Sequence, residues 1–198
     1  DLVVTDIMMP VMNGLDMSRA IKAEEAEAQI IVVSSSSEVE HLRQALDIGI
    51  DRYVPKPVDR RLLRDAVCKC ARDLRRLREL RMARMVFDAA GEGVVVTDAA
   101  GTILAVNPAF CEISGYREDE ALGRTPAMLA SGRHDKEFYR HMWEHLRGLG
   151  RWSGEIINRR KSGEIYPEWL SIVAVEEALG QETRYIGLFS DITERKRE

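Results

Sequence analysis

From Asp59 to Phe87 the chain contains neither glycine nor proline. A stretch of that length without a breaker reads as one continuous helix, and it separates two parts with different patterns. Leu63, Val67, Cys70, Leu74 and Leu77 step along it by four, three, four and three residues. This is the spacing of a coiled-coil seam, held for about two heptads. The seam then drifts toward Leu80, Ala83 and Phe87, while Arg72, Arg75, Arg76, Arg78, Arg81 and Arg84 fill much of the remaining surface. The bland account of such a charge run is a solvated helix face. The sharper one is a connector that forms a parallel homodimer through residues 59–87, because an apolar stripe has to be buried against something.

Ahead of this helix, Leu2-Val3-Val4-Thr5 leads into Asp6 and Ile30-Ile31-Val32-Val33 into Ser34, while Lys56 sits in Val54-Pro55-Lys56-Pro57. Short unbroken apolar runs suit strands buried on both faces of a parallel sheet. Leu15, Met17, Ala20 and Ile21, and then Leu42, Ala45, Leu46 and Ile48 before Gly49, give the intervening helices. Strand-helix-strand-helix-strand is the doubly wound α/β order, whose working groups lie beyond the carboxyl ends of the strands. Asp6, Ser34 and Lys56 all fall there. An acid, a hydroxyl and a lysine so placed can surround one phosphoryl group.

With Asp6-Ile7-Met8-Met9-Pro10, Asn13-Gly14, Ser34, Tyr53 and Lys56-Pro57 in this order, residues 1–58 resemble the second half of a response-regulator receiver domain. The resemblance implies that Asp6 is the phosphoacceptor, Ser34 the switch hydroxyl, Tyr53 the switch aromatic and Lys56 the phosphate-binding cation. It also implies a cis Lys56-Pro57 bond. A receiver's first two strands and first helix, with the acidic pair that holds Mg2+, would precede residue 1. Asp6 and the Met8 carbonyl are then the only magnesium ligands in hand, and the expectation is a chain that carries the acceptor but phosphorylates poorly.

After the helix the pattern changes. Gly93–Thr97 and Thr102–Val106 read as strands flanking the turn Asp98-Ala99-Ala100-Gly101. Asn107-Pro108 is a strong helix start, an N-cap followed by a first-turn proline. Asp135–Leu146 reads as a longer helix, followed by strands at Trp152–Arg159, Ile165–Val175 and Tyr185–Ile192, the last two joined through the acidic stretch Glu176–Glu182. Two strands, helices and three strands make an α+β fold on an antiparallel sheet. Gly93-Val94, Asn107-Pro108-Ala109-Phe110, Trp152-Ser153-Gly154-Glu155, Asn158-Arg159-Arg160-Lys161 with Gly163, and the closing Asp191-Ile192-Thr193 together resemble a PAS sensor domain. The domain reading is therefore a truncated receiver at 1–58, a helical linker at 59–86, a PAS domain at 87–193 and the start of an output linker at 194–198.

In the PAS part, alternation places Trp152, Gly154, Ile156 and Asn158 on one strand face and Tyr166, Glu168, Leu170 and Ile172 on the next. Trp152, Asn158 and Glu168 are the candidate cofactor-binding residues. Either Asn158 bonds a neighbouring loop beside a side-chain-filled pocket, or it reads a ligand. The motif resembles flavin-binding PAS domains, which makes FAD a candidate. The photochemical subtype is not expected, since its Asn-Cys-Arg-Phe segment is missing and Phe189 stands where it uses glutamine. His141 and His145, four apart, read as exposed helix residues, and a haem ligand at His134 or His141 has little support. Asp191, Ile192 and Thr193 resemble the hinge that feeds an output domain.

The net charge of −4 gives no basic footprint for nucleic acid. No run approaches the roughly 18 apolar residues of a membrane span. Cys68-x-Cys70 is not a Cys-x-x-Cys site, and three cysteines read as reduced thiols, which suits a cytoplasmic protein. The expected function is a non-catalytic regulatory segment of a bacterial two-component protein, fed by a cognate histidine kinase or phosphotransfer protein. Its expected output is a cyclic-di-GMP synthesising or degrading domain. A histidine kinase output, or a flavin redox sensor with a vestigial receiver, are the alternatives.

Overall fold

The computed structural model describes residues 1–35, 39–176 and 183–197. The expected turn beyond Glu176, and the side chain of Leu42, lie outside the described residues. The chain forms two compact units, Asp1–Met82 and Ala83–Glu198.

The first unit is a parallel sheet in the order β1 (Leu2–Asp6), β2 (Gln29–Ser34), β3 (Arg52–Pro55), with α1 (Gly14–Glu24) and α2 (Val39–Ile48) in the crossovers. One sheet face packs Ile30 and Val32 with Ile7, Leu15 and Ala45. The other packs Ile31, Val33 and Val54 against Ala66 and Cys70 of α3 (Arg60–Ala89), with Leu63 and Val67 alongside. Both faces are covered, which explains why these strands read as unbroken apolar runs. Three of the five residues of the expected coiled-coil stripe are therefore used within this unit. Leu63, Val67 and Cys70 meet their own sheet, and a seam between two chains cannot also bury them. Apart from Leu62 in its first turn, the exposed large apolar side chains of α3 lie further along, at Leu80, Met82, Met85 and Val86.

Gly14 sets the geometry at the end of β1. A Cβ there would lie 2.0 Å from the Asp6 carbonyl oxygen, so only glycine lets α1 start this close to the strand end. Asn13 caps α1, its side chain accepting from the Asp16 amide at 2.8 Å.

The second unit is a five-stranded antiparallel sheet in the order β5-β4-β8-β7-β6, formed by β4 (Gly93–Thr97), β5 (Ile103–Val106), β6 (Arg151–Arg159), β7 (Ile165–Glu176) and β8 (Thr183–Asp191). The helices α4 (Pro108–Ser114), α5 (Glu118–Ala121) and α6 (Lys136–Leu149), with a 3-10 turn at Pro126–Leu129, run between β5 and β6. The core gathers Val95, Ile103, Val106, Phe110, Leu129 and Phe189. Phe110 and Phe189 meet edge to face at 5.8 Å, a geometry that adds about 0.5–1.5 kcal/mol beyond the area buried.

Asn107 is fully buried and does more than cap α4. Its Oδ1 accepts from Phe110 N at 2.9 Å and Val94 N at 2.8 Å. Its Nδ2 donates to the carbonyls of Glu92 at 2.9 Å and Phe87 at 3.2 Å. One amide thus joins the end of α3, the start of β4 and the start of α4.

Candidate functional site

In the first unit, Asp6 pairs with Val33 and Ser34 with Pro55 in the sheet register. The carboxyl ends of all three strands therefore stand side by side. Lys56, one residue beyond β3, places its ammonium on Asp6 Oδ2, and the Met8 amide donates to Asp6 Oδ1 at 3.2 Å. The Lys56 bond, with help from the Met8 amide, holds the Asp6 carboxyl below its ordinary range. Ser34 is buried, and its carbonyl accepts from the Lys56 amide at 2.9 Å and the Tyr53 hydroxyl at 3.4 Å. The Lys56-Pro57 bond is cis. The structure thus brings Asp6, Ser34, Tyr53 and Lys56 to one sheet edge. An ionised carboxylate held by a lysine is a nucleophile with a phosphate-binding charge beside it.

A resident magnesium ion fits this donor set poorly. The Met8 group that meets Asp6 is its amide N–H, not a ligating carbonyl. Among the described residues no cluster of three His, Cys, Asp or Glu side chains can hold a metal. Magnesium wants near-octahedral oxygen ligands, which the Asp6 carboxylate alone does not supply.

In the second unit a cavity of about 230 Å³ lies between the sheet and the helices. Most of its wall is apolar or aromatic, with Phe110, Tyr139, Trp143, Tyr185 and Phe189 among the rings. Asn158 and Glu168 both line it. Trp152 does not line it: its ring meets Phe138 edge-on at 6.1 Å and covers Gly154. Strand alternation puts a residue on a face but does not say how far along that face the cavity extends, and Trp152 stands on the outermost strand, under α6.

Glu168 is 1% exposed. Its Oε1 accepts from Asn158 Nδ2 at 2.8 Å and its Oε2 from the Tyr166 hydroxyl at 2.8 Å. Burial pushes its carboxyl up to about 7, against the opposing effect of those two bonds. The Tyr166 phenol is raised too, by burial and by Glu168 beside it. The Arg160 guanidinium lies over the Tyr166 ring, 4.0 Å from its centre. Arg160 also bonds the Asp191 carboxylate, the Ile113 carbonyl and, at 3.0 Å, Glu164. Asp191 in turn accepts from Thr193 N at 2.8 Å. Burial raises the Asp191 carboxyl, but its bonds from Thr193 and Arg160 more than offset this and hold it low. An unbroken set of contacts therefore runs from the cavity wall to the turn that follows β8. Arg160 and Tyr166 are the members that sequence reasoning did not single out. Arg160 belongs to the Asn158-Arg159-Arg160-Lys161 run, and nothing in one sequence distinguishes it from Arg159.

The residues fit a flavin poorly. The cavity is below the roughly 300–1,000 Å³ usual for ligand pockets. Among the described residues no lysine, arginine or histidine lines it to meet a flavin's phosphates. His134 is no free haem ligand, since its Nε2 accepts from the Ile157 amide at 2.8 Å. His141 and His145 are exposed on α6.

The PAS domain family matches residues 91–194, and the response regulator receiver domain family matches residues 1–68. Over 108 residues, 54% of the chain, the sequence is 33% identical to the nitrogen fixation regulatory protein of Klebsiella oxytoca, covering 22% of that protein. A match at 25% identity to the sensor histidine kinase TmoS of Ectopseudomonas mendocina covers 99% of this chain and 24% of that one. The chain thus spans about a quarter or less of the length of these curated relatives. Among solved structures, the PAS domain of a Colwellia psychrerythraea protein superposes with a TM-score of 0.55 at 27% identity, covering 59% of this chain and 98% of that domain.

Proposed function

This chain belongs to the PAS domain family, and we propose that it is the regulatory segment of a bacterial two-component protein that relays receiver and PAS states to a downstream output. Both matched families are regulatory, and the segment itself turns nothing over. The phosphoryl input enters at Asp6, from a histidine kinase or phosphotransfer protein. The ligand input enters at the PAS cavity, and the combined state leaves through Asp191-Ile192-Thr193. A homodimer through the exposed end of α3, around Met82, Met85 and Val86, belongs to the same proposal.

The observation that carries this reading is the contact path Asn158–Glu168–Tyr166–Arg160–Asp191. It gives a change at the cavity wall a physical route to the C-terminal turn. With a buried carboxyl toward one end and the Arg160–Asp191 ion pair at the other, such a path can hold two arrangements of similar energy, which is what switching requires. We take a diguanylate cyclase or cyclic-di-GMP phosphodiesterase as the output, on the likeness of the PAS sequence as a whole to those of such enzymes. A histidine kinase output is the second reading, favoured by the match to a sensor histidine kinase that runs along 99% of this chain and 24% of that protein. No described helix is long and apolar enough to cross a membrane, and the proposed setting is the cytoplasm.

The test is made in the longer protein that contains this segment. Arg160→Gln breaks the tie to Asp191 without touching the cavity wall. It should leave the fold intact and separate output activity from the PAS input. An Arg160→Gln protein whose output still responds as the parent does would refute the relay.

A further inference from the structure

Glu168 is a fully buried carboxyl on the wall of a cavity, and it forms no ion pair among the described residues. An isolated buried carboxylate either takes a proton or finds a counter-charge. The groups around it have been committed elsewhere. Asn158 from β6 and the Tyr166 hydroxyl from β7 each give it one hydrogen bond. Arg160, the cation closest in electrostatic effect, lies over the Tyr166 ring and is neutralised by Glu164 and Asp191. From α6, Tyr139 adds only a neutral phenol. Asp191 of β8 contributes further negative charge. A carboxylate has about four acceptor positions and two are used, so room is left for a donor from the cavity.

The rest of the wall points the same way. Tyr139, Trp143 and Tyr185 line the cavity, with Trp143 and Tyr185 in edge contact at 5.2 Å. Aromatic faces with a carboxylate are the chemistry that recognises an organic cation. Among the described residues no cation lines the wall, so an anion would meet only the like charge of Glu168, which disfavours it in a dry site. The volume of about 230 Å³ restricts the guest to a small one.

We propose that the PAS cavity takes a small organic cation, an ammonium or amidinium compound whose N–H groups bond Glu168 while the aromatic wall covers its body. The inference rests on the reading of this domain as a ligand sensor and supplies its ligand class. Binding the cation fixes Glu168 in its ionised form. The same carboxylate holds the Tyr166 hydroxyl, so the occupied cavity differs from the empty one at the first contact of the path to Asp191.

Benzamidinium, benzamide and benzoate share one shape and differ in charge, which suits them as probes. Binding to the full 198-residue chain is read by isothermal titration and by saturation-transfer NMR. Benzamidinium is expected to bind at least tenfold tighter than benzamide at pH 8, and benzoate not at all. Because a proton competes with the cation for a carboxyl of pKa about 7, benzamidinium affinity in the unmutated chain should fall about tenfold from pH 8 to pH 6. Glu168→Gln should remove both the preference and the pH dependence. Benzoate binding as tightly as benzamidinium, or a preference that survives Glu168→Gln, overturns the cation assignment and leaves the ligand-sensor reading standing. A flavin retained through purification overturns the assignment in the same way. If none of the three binds and toluene does not bind either, the cavity admits no ligand, and the ligand-sensor reading falls with the assignment.

Discussion

Replacing Glu168 by glutamine should make the PAS unit more stable in alkaline solution, although it alters a fully buried, doubly hydrogen-bonded group. In the folded chain the Glu168 carboxyl is raised by burial to about 7 from an ordinary 4.5. Between those two values the folded state keeps a proton that the unfolded chain has released. Stability from this group is therefore fully present below about pH 4.5 and is lost as pH rises through 7. Raising a carboxyl from 4.5 to about 7 corresponds to about 3 kcal/mol. Glutamine keeps the shape without the charge. Its carbonyl can accept from Asn158, and the Tyr166 hydroxyl can turn to accept from its amide. The difference in unfolding free energy, variant minus parent, should then be near zero at pH 4.5 and approach 3 kcal/mol above pH 8. Urea titrations followed by tryptophan fluorescence measure it. All three tryptophans, Trp143, Trp152 and Trp169, lie in the PAS unit, so the signal ignores the receiver segment. A difference that stays constant from pH 4.5 to pH 8 would refute the reasoning, whatever its size.

Asn107→Ala removes an N-cap and leaves Val94 N–H and the Glu92 and Phe87 carbonyls without their partner. It should cost roughly 3–4 kcal/mol and speed hydrogen exchange at the end of α3, and unchanged exchange there would remove Asn107 as the tie. Acetyl phosphate with Mg2+ should leave the 198-residue chain almost unlabelled, with the trace signal abolished in Asp6→Asn. Strong labelling would show that the donors around Asp6 suffice. Met82→Glu with Val86→Glu should shift the sedimentation coefficient to that of a monomer without altering the far-UV spectrum. A parent already monomeric well above micromolar concentration would dispose of dimerisation through α3.

Where local chemistry decides the structure, the sequence was legible. Asn107-Pro108 is a helix start because an amide side chain satisfies the first-turn N–H groups, and Asn107 caps α4 as expected. The apolar runs became parallel strands because both of their faces are covered. Asp6, Ser34 and Lys56 converge because parallel strands bring equivalent ends together, a consequence of topology that periodicity alone can supply. The stripe on α3 was harder. Spacing shows that Leu63, Val67 and Cys70 share a side, but a sheet from the same chain and a helix from another bury that side equally well. Only the contacts with Ile31, Val33 and Val54 decide between them.

The cavity shows the limit from the other direction. Alternation on β6 and β7 placed Asn158 and Glu168 on their inward faces, and the structure joins them by a hydrogen bond. The same alternation admitted Trp152, whose ring packs edge-on with Phe138 of α6 and does not reach the cavity. Nor could it reveal that Arg160, past the end of β6, returns over the Tyr166 ring to hold Asp191, because a residue outside the strand is bound by no alternation. Yet that return gives the buried pair its significance. Without Arg160 the bonds among Asn158, Glu168 and Tyr166 would form a closed polar cluster whose only effect is on stability. With it, the negative charge of Glu168 lies across one aromatic ring from the guanidinium that fixes Asp191. Charging or neutralising Glu168 therefore alters the field on an ion pair at the C-terminal turn, through the buried Glu168 and Tyr166 side chains.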